Sequence, residues 1–214
     1  MTDTLNEDDD PTAGPGMRIL SERIDREYPD GKKIKVFDLE LLPTGELWTD
    51  EPLWSVPPAV AGLLIDEQRA LIGLVRQGRI GAGGHTLLEP VAGGVDDEDP
   101  DALTAFAREA EEETGLRPAT VRRVARLVVS AGRTDEVKTL AIGTALAHGT
   151  RTEGEEIETV WYPLAQLDEL IEQAADGGDQ TLWCLLLWLW REIARGARPQ
   201  QCLTPEPFAA TKEN

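Results

Sequence analysis

The stretch AREAEEETGL, residues 107–116, places four carboxylates within five positions of a chain that already carries a formal charge of −19. Glu109 and Glu113 are four residues apart, so in a helix they lie on the same face, with Glu112 beside them. Like charges at this spacing repel one another and weaken a helix. A magnesium or manganese ion would relieve that repulsion, because hard cations bind carboxylate oxygens. The run therefore indicates either a solvated helix face or a site for a cation.

The predicted helix has clear limits in the sequence. Asp99 or Asp101 can cap its start, Pro100 suits a first helical position, and Gly115 is typical of a helix end. One apolar stripe recurs at helical spacing and consists of Leu103, Phe106, Ala107 and Ala110. The carboxylates lie off this stripe, so the helix can pack against a core while they point outward.

The segments on both sides of this helix are patterned as strands, and two more helices are predicted at about 164–175 and 179–195. The predicted strands are KIKVFDLELL (33–42), AVAGLLID (59–66), ALIGLVRQ (70–77), LLEPVAGGV (87–95), VRRVARLVVS (121–130), KTLAIGTALA (138–147) and ETVWYPL (158–164). GAGG, residues 81–84, is predicted to be a flexible loop. The order of strands, helix, strands and helices indicates an α+β or layered α/β/α fold.

The composition excludes several classes of protein. The 40 Asp and Glu against 21 Lys and Arg leave little basic surface for the phosphates of a nucleic acid, so none is expected as a partner. The longest apolar run, residues 182–190, is too short to cross a bilayer, which takes about 20 residues in a helix. Cys184 and Cys202 form no disulfide framework or zinc pattern, and residues 1–16 lack the features of a signal peptide. We therefore expect a reduced, cytoplasmic location and no membrane partner.

Three motifs together resemble one known family. REAEEETGL (108–116) is similar to the second half of the Nudix box, Arg-Glu-hydrophobic-x-Glu-Glu-x-Gly-hydrophobic, with Ala110 in the first hydrophobic place. EPVAGGVDDED (89–99) resembles the opening of that box in ADP-ribose pyrophosphatases, and LVRQGRIGA (74–82) resembles the strand that precedes it. The chain therefore resembles the Nudix hydrolase superfamily, in its ADP-ribose pyrophosphatase-like subfamily, over about residues 57–192.

The first half of the box departs from the family pattern, which is Gly, five residues, Glu, seven residues and Arg. Counted from Gly94, the glutamate place falls on Pro100. Counted from Gly93, it falls on Asp99, with one extra residue before the arginine. We prefer the second count because it also aligns the family's Ala-Gly pair. It leaves open whether Asp99 or Glu98 serves as the upstream carboxylate.

The resemblance implies an α+β fold, a Nudix α/β/α sandwich with a mixed sheet, over residues 57–197. Residues 17–56 are expected to form a small N-terminal antiparallel β element. In similar enzymes such an element helps to build a homodimer and closes over the substrate. Residues 1–16, which are acidic, and residues 198–214 are expected to be loose tails.

The resemblance also implies a metal site, with Mg²⁺ as the ion and Mn²⁺ as the alternative. The implied ligands are Glu109, Glu113, Glu112, Glu155 and the backbone carbonyl of Ala92. Catalytic roles are implied for Glu153, as the general base, and for Glu112 and Arg108 on the helix. Glu153 and Glu155 belong to TEGEEIETVW (152–161), for which an acidic surface loop is the alternative.

Four further residues are candidates for substrate binding. Arg76 and Arg79 follow one another closely in VRQGR, and arginine forks suit phosphate oxygens. Arg79 falls where the resembling enzymes hold substrate, although an ordinary arginine at a strand end is the alternative. Arg133 is a further candidate phosphate contact, and Glu136 lies where the family contacts the terminal ribose.

The function implied by these residues is Mg²⁺-dependent hydrolysis of the diphosphate linkage in ADP-ribose or a related nucleoside diphosphate sugar, giving AMP and a sugar phosphate. The shortened upstream carboxylate leaves open a different nucleotide, such as a GDP-sugar or a dinucleotide. A Nudix domain that senses a nucleotide without turnover is the alternative from another class of protein. Such a domain would be expected to lack Glu109 or Glu113, and both are present.

Overall fold

The computed structural model describes residues 16–42, 44–151 and 156–196. Its strands are β1 (Gly16–Glu27), β2 (Lys33–Leu42), β3 (Leu47–Ser55), β4 (Ala59–Asp66), β5 (Leu71–Gly78), β6 (Thr86–Glu89), β7 (Val91–Gly94), β8 (Leu116–Val128), β9 (Val137–His148) and β10 (Glu158–Pro163). Its α-helices are α1 (Ala102–Thr114), α2 (Leu167–Ala175) and α3 (Gln180–Ala194). The tails predicted at 1–16 and 198–214 lie outside the described residues, apart from Gly16, and so do Glu153 and Glu155.

The chain divides into two units. The N-terminal unit contains the residues up to Pro57 together with Val128–Glu136, and the main unit contains Pro58–Leu127 and the residues from Val137 onward. Val128–Glu136, the connection between β8 and β9, therefore belongs with residues that precede it by about 80 positions, as the Ser55–Asp135 hydrogen bond shows.

The N-terminal unit is built on a three-stranded antiparallel sheet in the order β1–β2–β3. Seven of the large apolar side chains on these three strands are exposed: Met17, Ile19, Leu20, Ile24, Leu47, Trp48 and Trp54. The end of β3 is tied to Val128–Glu136 by hydrogen bonds to Asp135 from the Ser55 hydroxyl (2.6 Å) and the Val56 amide (3.1 Å). The predicted N-terminal antiparallel element is confirmed.

The main unit contains a seven-stranded mixed sheet. Its central order is β10–β5–β4–β9–β8, with β6 paired to β5 and β7 paired to β4. β4 and β9 run parallel, whereas β5 is antiparallel to both β4 and β10. A parallel pair needs a crossover connection, and the chain supplies it through β5, β6, β7, α1 and β8.

Helices cover both faces of this sheet because its central strands alternate between two apolar cores. Along β4, Val60 and Leu64 face the core that contains Phe106 of α1, while Ala61 and Leu63 face the core under α2 and α3. Gly62 lets α1 approach closely, since a Cβ there would lie 2.6 Å from the Phe106 ring. The α+β fold with an α/β/α arrangement and a mixed sheet, expected from the sequence, is confirmed.

Two local predictions are wrong. LLEPVAGGV (87–95) is two strands rather than one, because Pro90 has no amide hydrogen for a ladder and the chain turns there from β5 to β4 as its partner. The GAGG segment is partly ordered as a 3-10 helix, Ile80–Ala82, which Gly83 and Gly84 close with positive φ angles of 68° and 83°. Such angles suit glycine, which lacks a Cβ.

Helix α1 begins at Ala102 with Asp101 as its N-cap, so Asp99 is not the cap. The Asp101 side chain accepts hydrogen bonds from the amides of Leu103 (2.9 Å) and Thr104 (2.8 Å). Gly115 ends the helix in the left-handed conformation, as the sequence predicts. None of the described helices is long and apolar enough to span a membrane.

Candidate active site

The site is built where α1 lies against β7. Phe106 and Ala110 of the helix are fully buried in the core, which fixes how the helix rotates about its axis. This rotation turns Glu109 and Glu113 toward β7, one helical turn apart. Two of the predicted metal ligands are thus placed along one short strand.

Glu109 lies directly on Gly93. A Cβ at position 93 would overlap the Glu109 carboxylate, so the strand must have glycine there for this side chain to lie flat on it. Only 14% of the Glu109 side chain is exposed. Burial raises the pKa of Glu109, and the hydrogen bond from Arg108 opposes that rise. A cation at this carboxylate would likewise stabilise its charged form.

Glu113 lies one turn further along the helix and is buried, with 7% of the residue exposed. Its Oε2 accepts a hydrogen bond from the Ala92 amide at 3.4 Å. The structure therefore brings together Glu109, Glu113 and Ala92, as the sequence predicts for the metal ligands. Whether they bind a metal stays a prediction.

Arg108 is at the centre of the polar contacts around α1. Its guanidinium bonds to partners from the β7–α1 connection and from the helix itself: the Gly94 carbonyl (3.0 Å), Asp96 (3.2 Å), Asp99 (2.9 Å), Glu109 (2.8 Å) and Glu112 (3.1 Å). These acceptors raise the pKa of Arg108, first through Asp99. Arg108 therefore links the β7–α1 connection to the carboxylates of α1. Its catalytic role stays a prediction.

Asp99, and not Glu98, is the upstream carboxylate that reaches the box. It receives Arg108 Nη2 on Oδ2 (2.9 Å), and only 7% of its side chain is exposed. The extra residue of this chain is accommodated in a turn in which Asp99 and Asp96 exchange hydrogen bonds of 3.0 Å. The bond from Arg108 lowers the pKa of Asp99.

Glu112 is the most exposed of the three box carboxylates, with 40% of its side chain accessible. It shares the Nη1 atom of Arg108 with Glu109. Among the residues that the structure describes, no three Asp, Glu, His or Cys side chains are grouped closely enough to hold a metal ion as they stand. The donors nevertheless fit a hard divalent cation in kind, because all of them are oxygens. Two are carboxylates that lie against β7, and Glu113 is buried while Glu109 is largely so.

Arg79, at the end of β5, forms a bidentate ion pair with Glu89, the last residue of β6. Arg79 Nε and Nη2 bond to Glu89 at 2.5 to 2.9 Å, and the Glu89 side chain is only 7% exposed. The hydrogen bond to Glu89 raises the pKa of Arg79, and the charge of Glu113 adds to this. Arg79 is therefore close enough to α1, the helix that contains the second half of the Nudix box, to interact with the charge of Glu113.

Arg76 lines a cavity in the main unit. Its guanidinium bonds to the Tyr162 hydroxyl (3.0 Å) and approaches Glu158 (3.6 Å). The cavity has a volume of about 620 Å³, and Arg76, Gly84, Thr86, Glu156 and Glu158 are among its lining residues. The predicted contact of Arg76 with the substrate stays a prediction.

The remaining candidates are distributed differently. Arg133 and Glu136 belong to the N-terminal unit, where the Arg133 carbonyl accepts from the Trp54 amide (2.9 Å). Their contacts with the substrate stay predictions. Glu153 and Glu155, the predicted base and ligand, lie outside the described residues. The residues flanking them are joined by a hydrogen bond from Arg151 to the Ile157 carbonyl.

Sequence reasoning missed the parts played by Glu89 and Gly93. Glu89 stands inside an otherwise apolar segment, LLEPVA (87–92), and a lone carboxylate in a buried strand signals that a cation must pair with it. Gly93 gave a weaker signal, since glycine in a strand often marks a close approach of other atoms. Neither signal identifies the partner.

A mixed sheet between helices, with a glutamate-rich helix turned onto a short glycine-containing strand, is the arrangement that the Nudix resemblance of the sequence implies. A family model for the NUDIX domain matches residues 56–184, which is more than half of the chain. The chain belongs to the Nudix family, and as a Nudix hydrolase it is a member of a group that generally uses divalent metal ions. The resemblance noted from the sequence is confirmed at this level.

The chain is similar to a hydrolase in sequence and to a solved hydrolase structure in fold. The chain is 36% identical over 140 residues to a CMP-5'-(N-acetyl-N-hydroxy-3-aminopropyl)phosphonate hydrolase of Streptomyces rubellomurinus. That match covers 64% of this chain and 66% of the relative, just under two thirds of its length. A crystal structure of an ADP compounds hydrolase superposes with a TM-score of 0.69, at 18% identity, over 84% of this chain and 95% of that one. The structural match supports the fold.

Proposed function

We propose that this protein hydrolyses the diphosphate linkage of ADP-ribose or a related nucleoside diphosphate sugar and gives AMP and a sugar phosphate. The observation that carries the proposal is the placement of Glu109 and Glu113 along β7, beside Ala92, with Arg108 bonded to the neighbouring carboxylates. A diphosphate resists attack because its negative charges repel a nucleophile. A site that collects cations against these phosphates lowers that barrier.

The proposed metal ligands are Glu109, Glu113, Glu112, Glu155 and the Ala92 carbonyl, with Mg²⁺ as the ion and Mn²⁺ as a substitute. When bound, such an ion neutralises phosphate charge and acidifies a water. The chain's own contribution is to hold the carboxylates. The Asp99–Arg108 pair orients Glu109 and Glu112, and the Ala92 amide orients Glu113.

Substrate contacts are proposed for four residues: Arg76, Arg79, Arg133 and Glu136. Arg79 presents a partly exposed guanidinium near Glu113, which suits a phosphate oxygen. Glu153 is proposed as the base that takes the proton of the attacking water while the bridging phosphorus–oxygen bond breaks.

A second candidate substrate is favoured by the relative from Streptomyces rubellomurinus. Its name describes CMP joined to a phosphonate, and its 36% identity over 140 residues makes a nucleoside monophosphate linked to a phosphonate a specific alternative. A GDP-sugar or a dinucleotide remains a further alternative, and a sensing domain without turnover is the alternative outside the enzymes. All of these ligands share a nucleotide phosphate joined to a second phosphorus group.

The test is hydrolysis of a panel containing ADP-ribose, ADP-glucose, a GDP-sugar, a dinucleotide and a CMP-phosphonate, with and without Mg²⁺ or Mn²⁺. We expect metal-dependent release of AMP from ADP-ribose. Glu113→Gln should lower the rate by orders of magnitude, whereas Glu172→Gln, an exposed glutamate of α2, should not. Faster release of CMP from the phosphonate would select the second candidate.

Other outcomes of the panel are equally decisive. Tight binding of one nucleotide without hydrolysis would identify a sensor. Equal rates with and without metal would remove the metal ligands from the proposal. An unchanged rate in Glu113→Gln would show that the box helix is not the site.

Homodimerisation and a cytoplasmic location are part of the proposal. Exposed apolar side chains on the N-terminal sheet, including Met17, Ile19 and Ile24, support an interface there, because a patch of this kind marks an association surface. Partners other than a small nucleotide and a second copy of the chain are not proposed. The acidic composition, with a net charge of −19, is unfavourable for nucleic acid.

A further inference from the structure

The backbone of Arg79 is held in a tight turn. Its amide donates to the His85 carbonyl at 3.1 Å, and its carbonyl accepts from the amides of Ala82 (3.1 Å) and Gly84 (2.9 Å). This turn joins β5 to β6 and contains the 3-10 helix. The Cα atom of Arg79 is therefore fixed relative to the sheet, and the direction of its side chain depends on what its guanidinium contacts.

Glu89 contacts one edge of that guanidinium and leaves the other end accessible. Nε lies 2.8 and 2.9 Å from the two carboxylate oxygens, and Nη2 lies 2.5 Å from one of them. Nη1 makes no hydrogen bond with any residue in the described ranges. The Glu89 side chain is buried, whereas 43% of the Arg79 side chain is exposed.

The same short segment fixes Arg79 and the box helix. Glu89 and Ala92 flank the corner at Pro90, three residues apart, and the Ala92 amide bonds to Glu113. Because the corner is paired to β5 on one side and to β4 on the other, it is a rigid part of the sheet. The position of the arginine is thereby coupled to the position of the helix carboxylate.

We propose that Glu89 is a positioning residue that holds Arg79 with its Nη1 end directed at the diphosphate of the substrate. The inference rests on the proposed function, because the diphosphate is the ligand of Arg79. Glu89 and a phosphate do not compete, since one takes the Nε–Nη2 edge and the other the Nη1 end. An arginine fixed in this way loses less side-chain freedom when the substrate binds.

The test is a double-mutant cycle with Glu89→Gln and Arg79→Lys. Glu89→Gln keeps the size of the side chain but removes its charge, and Arg79→Lys keeps the charge but removes the fork. Each should weaken the contact to phosphate roughly tenfold or more, as expected for a lost charge-assisted hydrogen bond, with the loss in KM rather than kcat. The double variant should bind the substrate with the same affinity as the single variant that binds it more weakly, because both changes remove one shared contact.

The same cycle is measured by calorimetry with Mg²⁺ and inorganic pyrophosphate, which does not require turnover. Asp66→Asn and Arg69→Lys form the control pair, since their ion pair (3.8 Å) lies on the turn before β5, at the other end of that strand. Melting temperatures accompany each variant. A merely structural Glu89 would lower the melting temperature without the coupled loss in affinity.

Each outcome decides between the proposals. Additive losses, or unchanged or tighter binding in Glu89→Gln, would overturn the positioning role even if the panel shows hydrolysis. Coupled losses in pyrophosphate affinity without hydrolysis of any compound would retain the positioning role and overturn the proposed function. A wild-type protein that neither hydrolyses the panel nor binds pyrophosphate would overturn both.

Discussion

Among single residues, Arg108 joins the largest number of charged groups around α1. It bonds to four carboxylates and to the Gly94 carbonyl. Four like charges near one helix would repel one another, and the guanidinium offsets part of that repulsion. Asp99 is the most buried of the four carboxylates, so its loss should lower the free energy of unfolding most.

Asp99→Asn should lower the free energy of unfolding at neutral pH by about 1.5–3 kcal/mol, the usual contribution of a hydrogen bond to a charged group. The pKa of Asp99 is lowered in the folded protein by Arg108. A carboxylate with a lowered pKa stabilises the fold above its unfolded pKa, about 3.9, and that stabilisation is lost as the pH falls through the folded pKa. Denaturant titrations at pH 7 and below pH 3 check this.

The quantity to follow is the difference in the free energy of unfolding between the wild type and Asp99→Asn. The difference in stability between wild type and Asp99→Asn should shrink on acidification, because both side chains are then neutral. A difference that stays constant with pH would mean that Asp99 acts through packing rather than charge. Glu98→Gln, the neighbouring carboxylate without a described bond to Arg108, serves as the control and should change stability by less than about 0.5 kcal/mol.

Gly93→Ala should separate activity from stability. Its Cβ would occupy the space of the Glu109 carboxylate, which is the mobile end of a flexible side chain and can move away at little cost to the fold. We expect the rate of hydrolysis to fall by at least about tenfold, because the carboxylate leaves its place. The melting temperature should change little.

Gly94→Ala is the matched control, since a Cβ there would meet only Asp96 at 3.9 Å. It should retain nearly full activity. Equal losses of activity in both variants would indicate that the strand backbone, rather than the room for Glu109, is the sensitive feature. Steady-state kinetics and thermal unfolding on the same samples give both readouts.

Among the elements, helix α1 is fixed at its C-terminal end as well as along its core face. Glu111 accepts hydrogen bonds from the Thr150 amide (3.1 Å) and from Arg117 (2.8 Å), and the Gly149 amide bonds to the Gly115 carbonyl (2.9 Å). The carboxylate run of the helix therefore serves two purposes. Glu109 and Glu113 face β7, while Glu111 ties the helix to the segment that follows β9.

Glu111→Ala should lower the free energy of unfolding, because it removes both the acceptor of the Thr150 amide and the ion pair with Arg117. Arg117→Ala removes only the exposed ion pair and should cost less than about 1 kcal/mol. Chemical denaturation of the two variants measures both values. Equal losses in the free energy of unfolding would show that the ion pair with Arg117, and not the hydrogen bond from the Thr150 amide, stabilises this end of the helix.

The elements also show what the sequence could and could not predict. The end of α1 was predictable because the apolar period and the final glycine are local signals. Its start was predicted only as Asp99 or Asp101, and Pro100, which suits a first helical position, lies before the observed N-cap, Asp101. The break at Pro90 was missed because it depends on a change of strand partner, from β5 to β4, which a sequence pattern does not contain. Counting along the box could not decide between Asp99 and Glu98, since a turn that absorbs one residue is a three-dimensional property.

The site shows the same division. Glu109, Glu113 and Ala92 were predictable together, because a known motif orders them. The pairing of Arg79 with Glu89 was not, because it joins residues ten positions apart across a hairpin, and the sequence treats each as a separate charge. The roles of Glu153 and Glu155 remain predictions from the motif alone.

At the level of the whole molecule, the exposed apolar side chains of the N-terminal sheet predict self-association. Analytical ultracentrifugation should give a mass about twice the chain mass of 23.4 kDa. Ile19→Lys combined with Ile24→Lys should shift the protein toward the monomer, because both side chains are more than half exposed in the single chain. Lys at the exposed Val128, outside that sheet, is the control.

A monomeric wild type would contradict the proposed interface. A dimer that is unaffected by the two lysines would place the interface elsewhere. An exposed strand such as β1 tolerates charged lysines, so the two substitutions should not destabilise the single chain. Any fall in the melting temperature of the double variant should come from the loss of the dimer.

The tie between Ser55, Val56 and Asp135 has a practical consequence for anyone who wishes to shorten the protein. A chain that starts at residue 58 would still contain Val128–Glu136, yet the hydroxyl and amide that bind Asp135 would be gone. We expect this connection between β8 and β9 to become more susceptible to proteolysis, because it loses those two hydrogen bonds. A shortened protein should therefore lack the residues before 58 and also have Val128–Glu136 replaced by a short designed turn.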